Sequence, residues 1–339
     1  MNMVKGQRME RQSGLMWFVN GQSAAALFLA VCFTVAFGWR GAASAKQIKV
    51  VATTGMIADA ARAVGGEHVE VKALMGPGVD PHAYRQTRSD IVALSRADLV
   101  LWHGLYLEAQ MEDFLRKLAK QRTVVAVAEG LSQQKLLTHD DYDNKFDPHV
   151  WMDPDLWAEV VSEIQKALTD VSPEQKQAFA ANAQKHLRDV RKLGAYAKQV
   201  LATVPEDSRV LLTAHDAFNY FGRAYGFEVI GIQGISTESE AGLKRIRELV
   251  EMLVRRKIAA VFVESSVSDR NIRALIEGAA ALEHEVTIGG ELFSDAMGPD
   301  GSYEGTYIGM IDHNATTIAR ALGGKAPARG VTGRLAEKQ

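Results

Sequence analysis

The sequence predicts an α/β protein made of two lobes with parallel sheets, joined by a long helical connection. Three observations carry that expectation. Short β-branched runs alternate with helix-forming stretches, as parallel sheets with crossover helices require. The alternation stops near residue 171 and restarts near residue 205. The segment between them is rich in Gln, Ala, Lys and Leu, with Gly194 as its one glycine and no proline after Pro173.

In order along the chain, Ile48 to Thr53, Val69 to Leu74, Leu99 to Trp102 and Thr123 to Val127 read as buried strands. Met56–Val64, Arg88–Ser95 and Leu107–Lys120 read as the helices between them. Pro173 to about Thr203 reads as the connection. Ser172 suits its N-cap, Pro173 its first position and Glu174 its first turn. About 30 residues at 1.5 Å each give a helix of about 45 Å; the alternative is a helical hairpin broken at Gly194. Val210–Ala214, Val229–Ile232, Ala260–Glu264 and Glu285–Ile288 form the second set of strands. Ala217–Tyr225, Ala241–Arg256, Asp269–Ala281 and Tyr303–Leu322 are their helices. The expected division is residues 1–45 as a leader, 46–171 as the first lobe, 172–204 as the connecting helix and 205–339 as the second lobe.

The leader reading rests on Lys5, Arg8 and Arg11 before an apolar run from Ala24 to Phe37, closed by Ala43-Ser44-Ala45. That is the order of a secretory signal peptide. Fourteen residues span about 21 Å as a helix, short of the ~30 Å hydrocarbon core. Cys32, the one cysteine, hints at a lipoprotein cleavage site. Val31 fits poorly before it and the apolar run continues past it, so cleavage after Ala45 is expected. Losing Lys5, Arg8, Arg11 and Arg40 with Glu10 leaves 35 basic against 40 acidic side chains. A mildly acidic chain has no general field for a polyanion, which argues against a nucleic-acid partner. The expectation is a soluble, exported protein of the periplasm, without disulfides.

The histidines carry the chemistry. Asp80-Pro81-His82 and Asp147-Pro148-His149 repeat one tripeptide, each between a strand and a helix, where α/β folds place ligands. Proline stiffens the presentation of the imidazole, and the nearby Asp is suited to hold the non-ligating ring N–H. His215 ends an apolar strand and is either a ligand or a hydrogen-bonded core histidine. Asp295 follows the last strand and is either a ligand or a cap of the next turn. Together His82, His149, His215 and Asp295 make a closed nitrogen and oxygen set for a cation such as Zn²⁺ or Mn²⁺. Glu264, Asp216 and His103 are the outer-shell candidates. His68, His186 and His284 read as solvated, His139 as an accessory collector in an acidic loop, and His313 as structural.

Five stretches then carry a resemblance over about residues 46–324: MGPGVDPHAY (75–84), FDPHVWMD (146–153), TAHDAFNYFGRAYGFEV (213–229), VFVESS (261–266) and GGELFSDAMG (289–298). The chain resembles the zinc/manganese cluster of metal-binding solute-binding proteins of ABC transporters, of the TroA type. The resemblance implies two (βα)₄-like lobes bridged by one long helix, with the metal in the cleft between them. It places the four ligand positions on His82, His149, His215 and Asp295. Typical manganese binders of this family carry Glu at the third position, where this chain has His215, which favours Zn²⁺. Dedicated zinc binders carry a long His-rich loop before the second D-P-H. This chain has only Thr138-His139-Asp140-Asp141-Tyr142-Asp143, which leaves room for Mn²⁺.

The implied function is capture of one divalent transition metal and delivery to a membrane permease with its ATPase, by a monomer. The alternatives are a surface adhesin or metal buffer, and a zinc hydrolase. Four convergent protein ligands close the coordination position that hydrolysis needs, and no H-E-x-x-H or G-x-S-x-G motif is present. No enzyme activity is expected.

Overall fold

In a computed structural model, residues 47–138 and 145–336 are described. The signal-peptide reading, Cys32 and the acidic loop with His139 lie outside them. The first four strands are β1 (Ile48–Ala52), β2 (Val69–Ala73), β3 (Leu99–Trp102) and β4 (Val124–Ala126), in one parallel sheet of order β2-β1-β3-β4. Three helices connect successive strands: α1 (Gly55–Gly65), α2 (Arg88–Arg96) and α3 (Glu112–Leu118). β3 is buried at every residue, as its unbroken Leu-Val-Leu-Trp run requires. Thr87 opens α2 with a capping box completed by Asp90.

α3 is shorter than its hydrophobic pattern suggests. Residues 107–111, where the pattern starts a helix, form turns instead. The chain enters them through Gly104, Leu105 and Tyr106, all at positive φ of 82°, 53° and 68°, outside the helical region. This turn is held from inside. The fully buried Glu108 accepts the N–H groups of His103 and Gly104 and the Thr53 hydroxyl, at 2.8, 3.2 and 2.6 Å.

A helix that the strand-and-helix reading omits follows: α4 (Pro154–Val171), with Asp153 as N-cap and Pro154 in its first turn. A short 3₁₀ turn, Pro173–Gln175, leads into α5 (Lys176–Leu201). The connection is therefore one continuous helix of 26 residues, about 39 Å at 1.5 Å per residue. Gly194 does not break it. A Cβ there would lie 3.3 Å from Pro154 Cβ, so the missing side chain lets α4 and α5 approach closely.

The second half contains β5 (Val210–Thr213), β6 (Glu228–Gly231), β7 (Ala260–Glu264) and β8 (Thr287–Leu292), with α6 (Asn219–Tyr225), α7 (Leu243–Arg256), α8 (Arg270–Ala280) and α9 (Tyr307–Ala321). β5 pairs with β6 and β7 with β8, both in parallel. β5 also packs beside β7 without a ladder between them. β8 runs four residues further than its β-branched segment indicates, through Gly289 and Gly290. A register shift between Val261 and Phe262 absorbs the glycine pair. No helix among the described residues is long and apolar enough to cross a membrane.

Candidate metal centre

His82 sits on the connection after β2 and His149 just before the 3₁₀ turn that precedes α4. His215 lies two residues past β5, and Asp295 three past β8. Their side chains meet. One donor atom from each lies within 4.8 Å of all the others, and all four residues are buried. His82 Nε2 is 3.3 Å from His149 Nε2. The Asp295 oxygens lie 3.1 Å from His215 Nε2, 3.3 Å from His149 Nε2 and 3.8 Å from His82 Nε2.

These close approaches lack hydrogen-bond geometry at the carboxylate. Both Asp295 oxygens and His215 Nε2 are buried polar atoms without a hydrogen-bond partner among the described residues. Burying such atoms is costly unless something satisfies them. A cation coordinated by the cluster satisfies Asp295 and His215 together, so the donor set and its geometry fit a metal ion.

The rings are oriented from behind. His149 Nδ1 is 2.7 Å from Asp147 Oδ1, and His215 Nδ1 is 2.6 Å from Glu264 Oε2. Each carboxylate also accepts the backbone N–H of its own histidine, at 2.9 Å. Holding Nδ1–H in this way leaves Nε2 to face the other donors of the cluster. His82 differs. Asp80 accepts its backbone N–H at 2.8 Å, and its Nδ1 is buried without a hydrogen-bond partner. The two D-P-H motifs are thus alike in backbone and unlike at the ring.

Electrostatics follow from these contacts. Burial pushes His82 down to about 3 despite Asp295 nearby. Burial works against charge on His149 too, but Asp147 and Asp295 outweigh it and bring the ring up to about 9. His215 is likewise raised by Asp295 and Glu264 against its burial, and Asp295 is held well below the usual carboxylate range by His215 and His149.

Among the outer-shell candidates, Glu264 reaches across from the end of β7 to the His215 ring. Its neighbour in sequence, Asp216, is half-buried and its backbone N–H bonds Gly234 O; Glu264, rather than Asp216, holds the imidazole. His103 is buried, with Nε2 2.6 Å from Pro148 O in the second D-P-H, and burial pushes it down to about 3. The second half also steadies this motif. Asn219 Nδ2 donates to Asp147 Oδ2 at 3.1 Å, and the Tyr220 hydroxyl donates to Asp147 O at 2.8 Å. Asn219 and Tyr220 stand in the 213–229 stretch, where nothing local marks a side chain that acts 72 or 73 residues away.

Three histidines expected in solvent are not there. His186 is buried on the inner face of α5, 8% exposed. His284 is half-buried with Nε2 2.8 Å from Ile258 O. His68 is half-buried against the edge of Phe179. Tertiary packing covers faces that local polarity marked as exposed. His313 is structural as expected, bonding Glu291 O at 2.9 Å.

Parallel α/β halves bridged by a long helix, around a buried three-histidine, one-aspartate cluster, define a metal-binding substrate-binding protein of an ABC transporter, a transport protein and not an enzyme. The chain belongs to the ZnuA family: residues 50–321 match the family described as zinc-uptake complex component A, periplasmic. Proteins of this family deliver metal to an ABC permease and its ATPase. The chain is 49% identical over 282 residues to the manganese-binding lipoprotein MntA of Bacillus subtilis, covering 83% of this chain and 92% of MntA. It is 46% identical over 297 residues to the zinc-binding protein TroA of Treponema pallidum, covering 88% of this chain and 96% of TroA. A solved structure of that periplasmic zinc binding protein superimposes with a TM-score of 0.79, over 81% of this chain and 99% of TroA.

Proposed function

We propose that His82, His149, His215 and Asp295 bind one divalent transition metal ion, Zn²⁺ in preference to Mn²⁺, as cargo for the permease. The convergence of four buried donors within 4.8 Å of one another is the observation that carries this reading. Three imidazoles suit zinc better than manganese, and zinc stands higher in intrinsic affinity for nitrogen and oxygen donors. The relatives named above bind one ion each by description, manganese for MntA and zinc for TroA. Use of manganese then depends on which ion is available and which complex the permease accepts. Glu264, Asp147 and His103 act behind the ligands.

The working unit is a monomer, since one chain supplies all four donors. It divides at residues 46–171, 172–204 and 205–339. Strands β1–β4 share one sheet and β5–β8 pair only among themselves, with α5 between the groups, which supports this division. Cleavage after Ala45 and a soluble periplasmic product belong to the same reading, supported by the basic residues Lys5, Arg8 and Arg11, the apolar run from Ala24 to Phe37 and the Ala43-Ser44-Ala45 stretch that follows.

The test is zinc titration of His215→Ala beside His68→Ala, a histidine outside the cluster. The His215 variant is expected to lose affinity by orders of magnitude and the His68 variant to match wild type. Retention of wild-type affinity by His215→Ala would refute the ligand set. Competition between Zn²⁺ and Mn²⁺ on the wild type checks the preference.

A further inference from the structure

We infer that Trp151 and Tyr307 are positioning residues that hold Asp295 in register with the histidines of the first half. The inference rests on the proposed ligand set and deepens it. Neither oxygen of the Asp295 carboxylate has a hydrogen-bond partner among the described residues. Its placement therefore falls to the backbone just before it. Asn314, from α9, brackets Phe293 by accepting its N–H at 2.9 Å and donating to its carbonyl at 2.7 Å. Ser266 Oγ lies 3.1 Å from Ser294 Oγ. Both anchors belong to the second half.

The third anchor comes from the other side. Trp151 Nε1 donates to Ser294 O at 2.9 Å, a buried bond between residues 143 apart. Trp151 lies two residues after His149, and its ring meets the His149 ring edge-on, with centroids 5.2 Å apart. It therefore touches one proposed ligand and holds the residue preceding another. Its own backbone is tied in turn. The Tyr307 hydroxyl donates to Trp151 O at 2.9 Å, and the Tyr307 N–H, at the start of α9, donates to Asp59 Oδ2 on α1 at 2.9 Å. The result is a buried circuit that crosses between the halves three times behind the cluster. It sets how far Asp295 stands from His149 when the site is closed, and its loss lets Asp295 withdraw.

Trp157 supplies the comparison. It is buried and stacks on Tyr307 with centroids 5.0 Å apart, but its Nε1 has no hydrogen-bond partner among the described residues. Trp157→Phe thus removes ring packing and no link to Ser294. In the full exported chain loaded with zinc and mixed with excess EDTA, Trp151→Phe is expected to release zinc about 3- to 10-fold faster than wild type, the range set by one buried hydrogen bond. Tyr307→Phe should change the rate in the same direction by a smaller factor, and supplies the answer if Trp151→Phe fails to fold. Trp157→Phe should lower the melting temperature of the metal-free protein while leaving the release rate within twofold of wild type. Equal release rates for the Trp151 and Trp157 variants, or a wild-type rate in Tyr307→Phe where Trp151→Phe does not fold, would overturn the positioning role. Failure of the ligand set itself shows separately, as zinc retained by Asp295→Ala in the same assay.

Discussion

His149 and His215 each lean on a carboxylate, and those carboxylates are where single substitutions speak most clearly. Glu264→Gln keeps an acceptor for the His215 backbone N–H but removes the charge beside Nδ1. Outer partners of this kind typically cost ~10–100-fold in metal affinity when altered, so zinc affinity is expected to fall by that factor. A titration unchanged from wild type would show that Glu264 only packs. Glu108 offers a prediction about pH. Burial raises its carboxyl from an ordinary 4.5 to about 7, against the hydrogen bonds from Thr53, His103 and Gly104. A raised carboxyl favours the folded state only while protonated. Relative to a neutral residue, the folded protein therefore loses stability as pH rises from about 4.5 to about 7, and no further above that. The shift corresponds to about 3 kcal/mol. Urea unfolding of wild type and Glu108→Gln at pH 4.5 and pH 8 should show the gap moving by that amount in favour of Gln. A gap independent of pH would contradict the raised carboxyl.

At the scale of elements, the α4–α5 pair is the feature that hydrophobic pattern alone conveys least. α4 buries Leu156, Trp157, Val160, Val161, Ile164, Ala167 and Leu168 on one face, a helical spacing that is plain once its Asp153-Pro154 start is recognised. Gly194 is the position at which the alternative, a helical hairpin, would break, because glycine weakens a helix interior by ~1 kcal/mol. In the fold it is a contact point for Pro154, and that contact is invisible to a local rule. Gly194→Leu is expected to lower stability by ~1–3 kcal/mol through overpacking, measurable by chemical unfolding. Gly194→Ala should sit near wild type, since helix propensity offsets a 3.3 Å contact. A leucine variant as stable as wild type would show that the helices are free to separate.

For the whole molecule, the cargo ion is also a cross-link, because two proposed ligands come from each half. Zinc at 100 times its Kd should stabilise the fold by about 2.7 kcal/mol and raise the melting temperature, with EDTA reversing the gain. The stiff single-helix connection and the buried circuit through Trp151 and Tyr307 leave little freedom for the halves to swing. Solution scattering of zinc-loaded and EDTA-treated protein should therefore give nearly the same radius of gyration. A change of several ångströms would refute the stiff connection.

The sequence by itself determined the parallel α/β plan, the helical character of the connection and the four candidate donors. β-branched runs, helix-forming composition and a proline-stiffened tripeptide are local chemistry, and they act within a few residues of where they are written. Only the tertiary structure decided which carboxylate serves which ring. Glu264 reaches His215 because β7 packs beside β5, a relation between residues 49 apart that no periodicity encodes. The same holds for Trp151 on Ser294 and for the burial of His186. Packing brings distant stretches of chain into contact, and the hydrogen bonds that orient the cluster are made across those contacts.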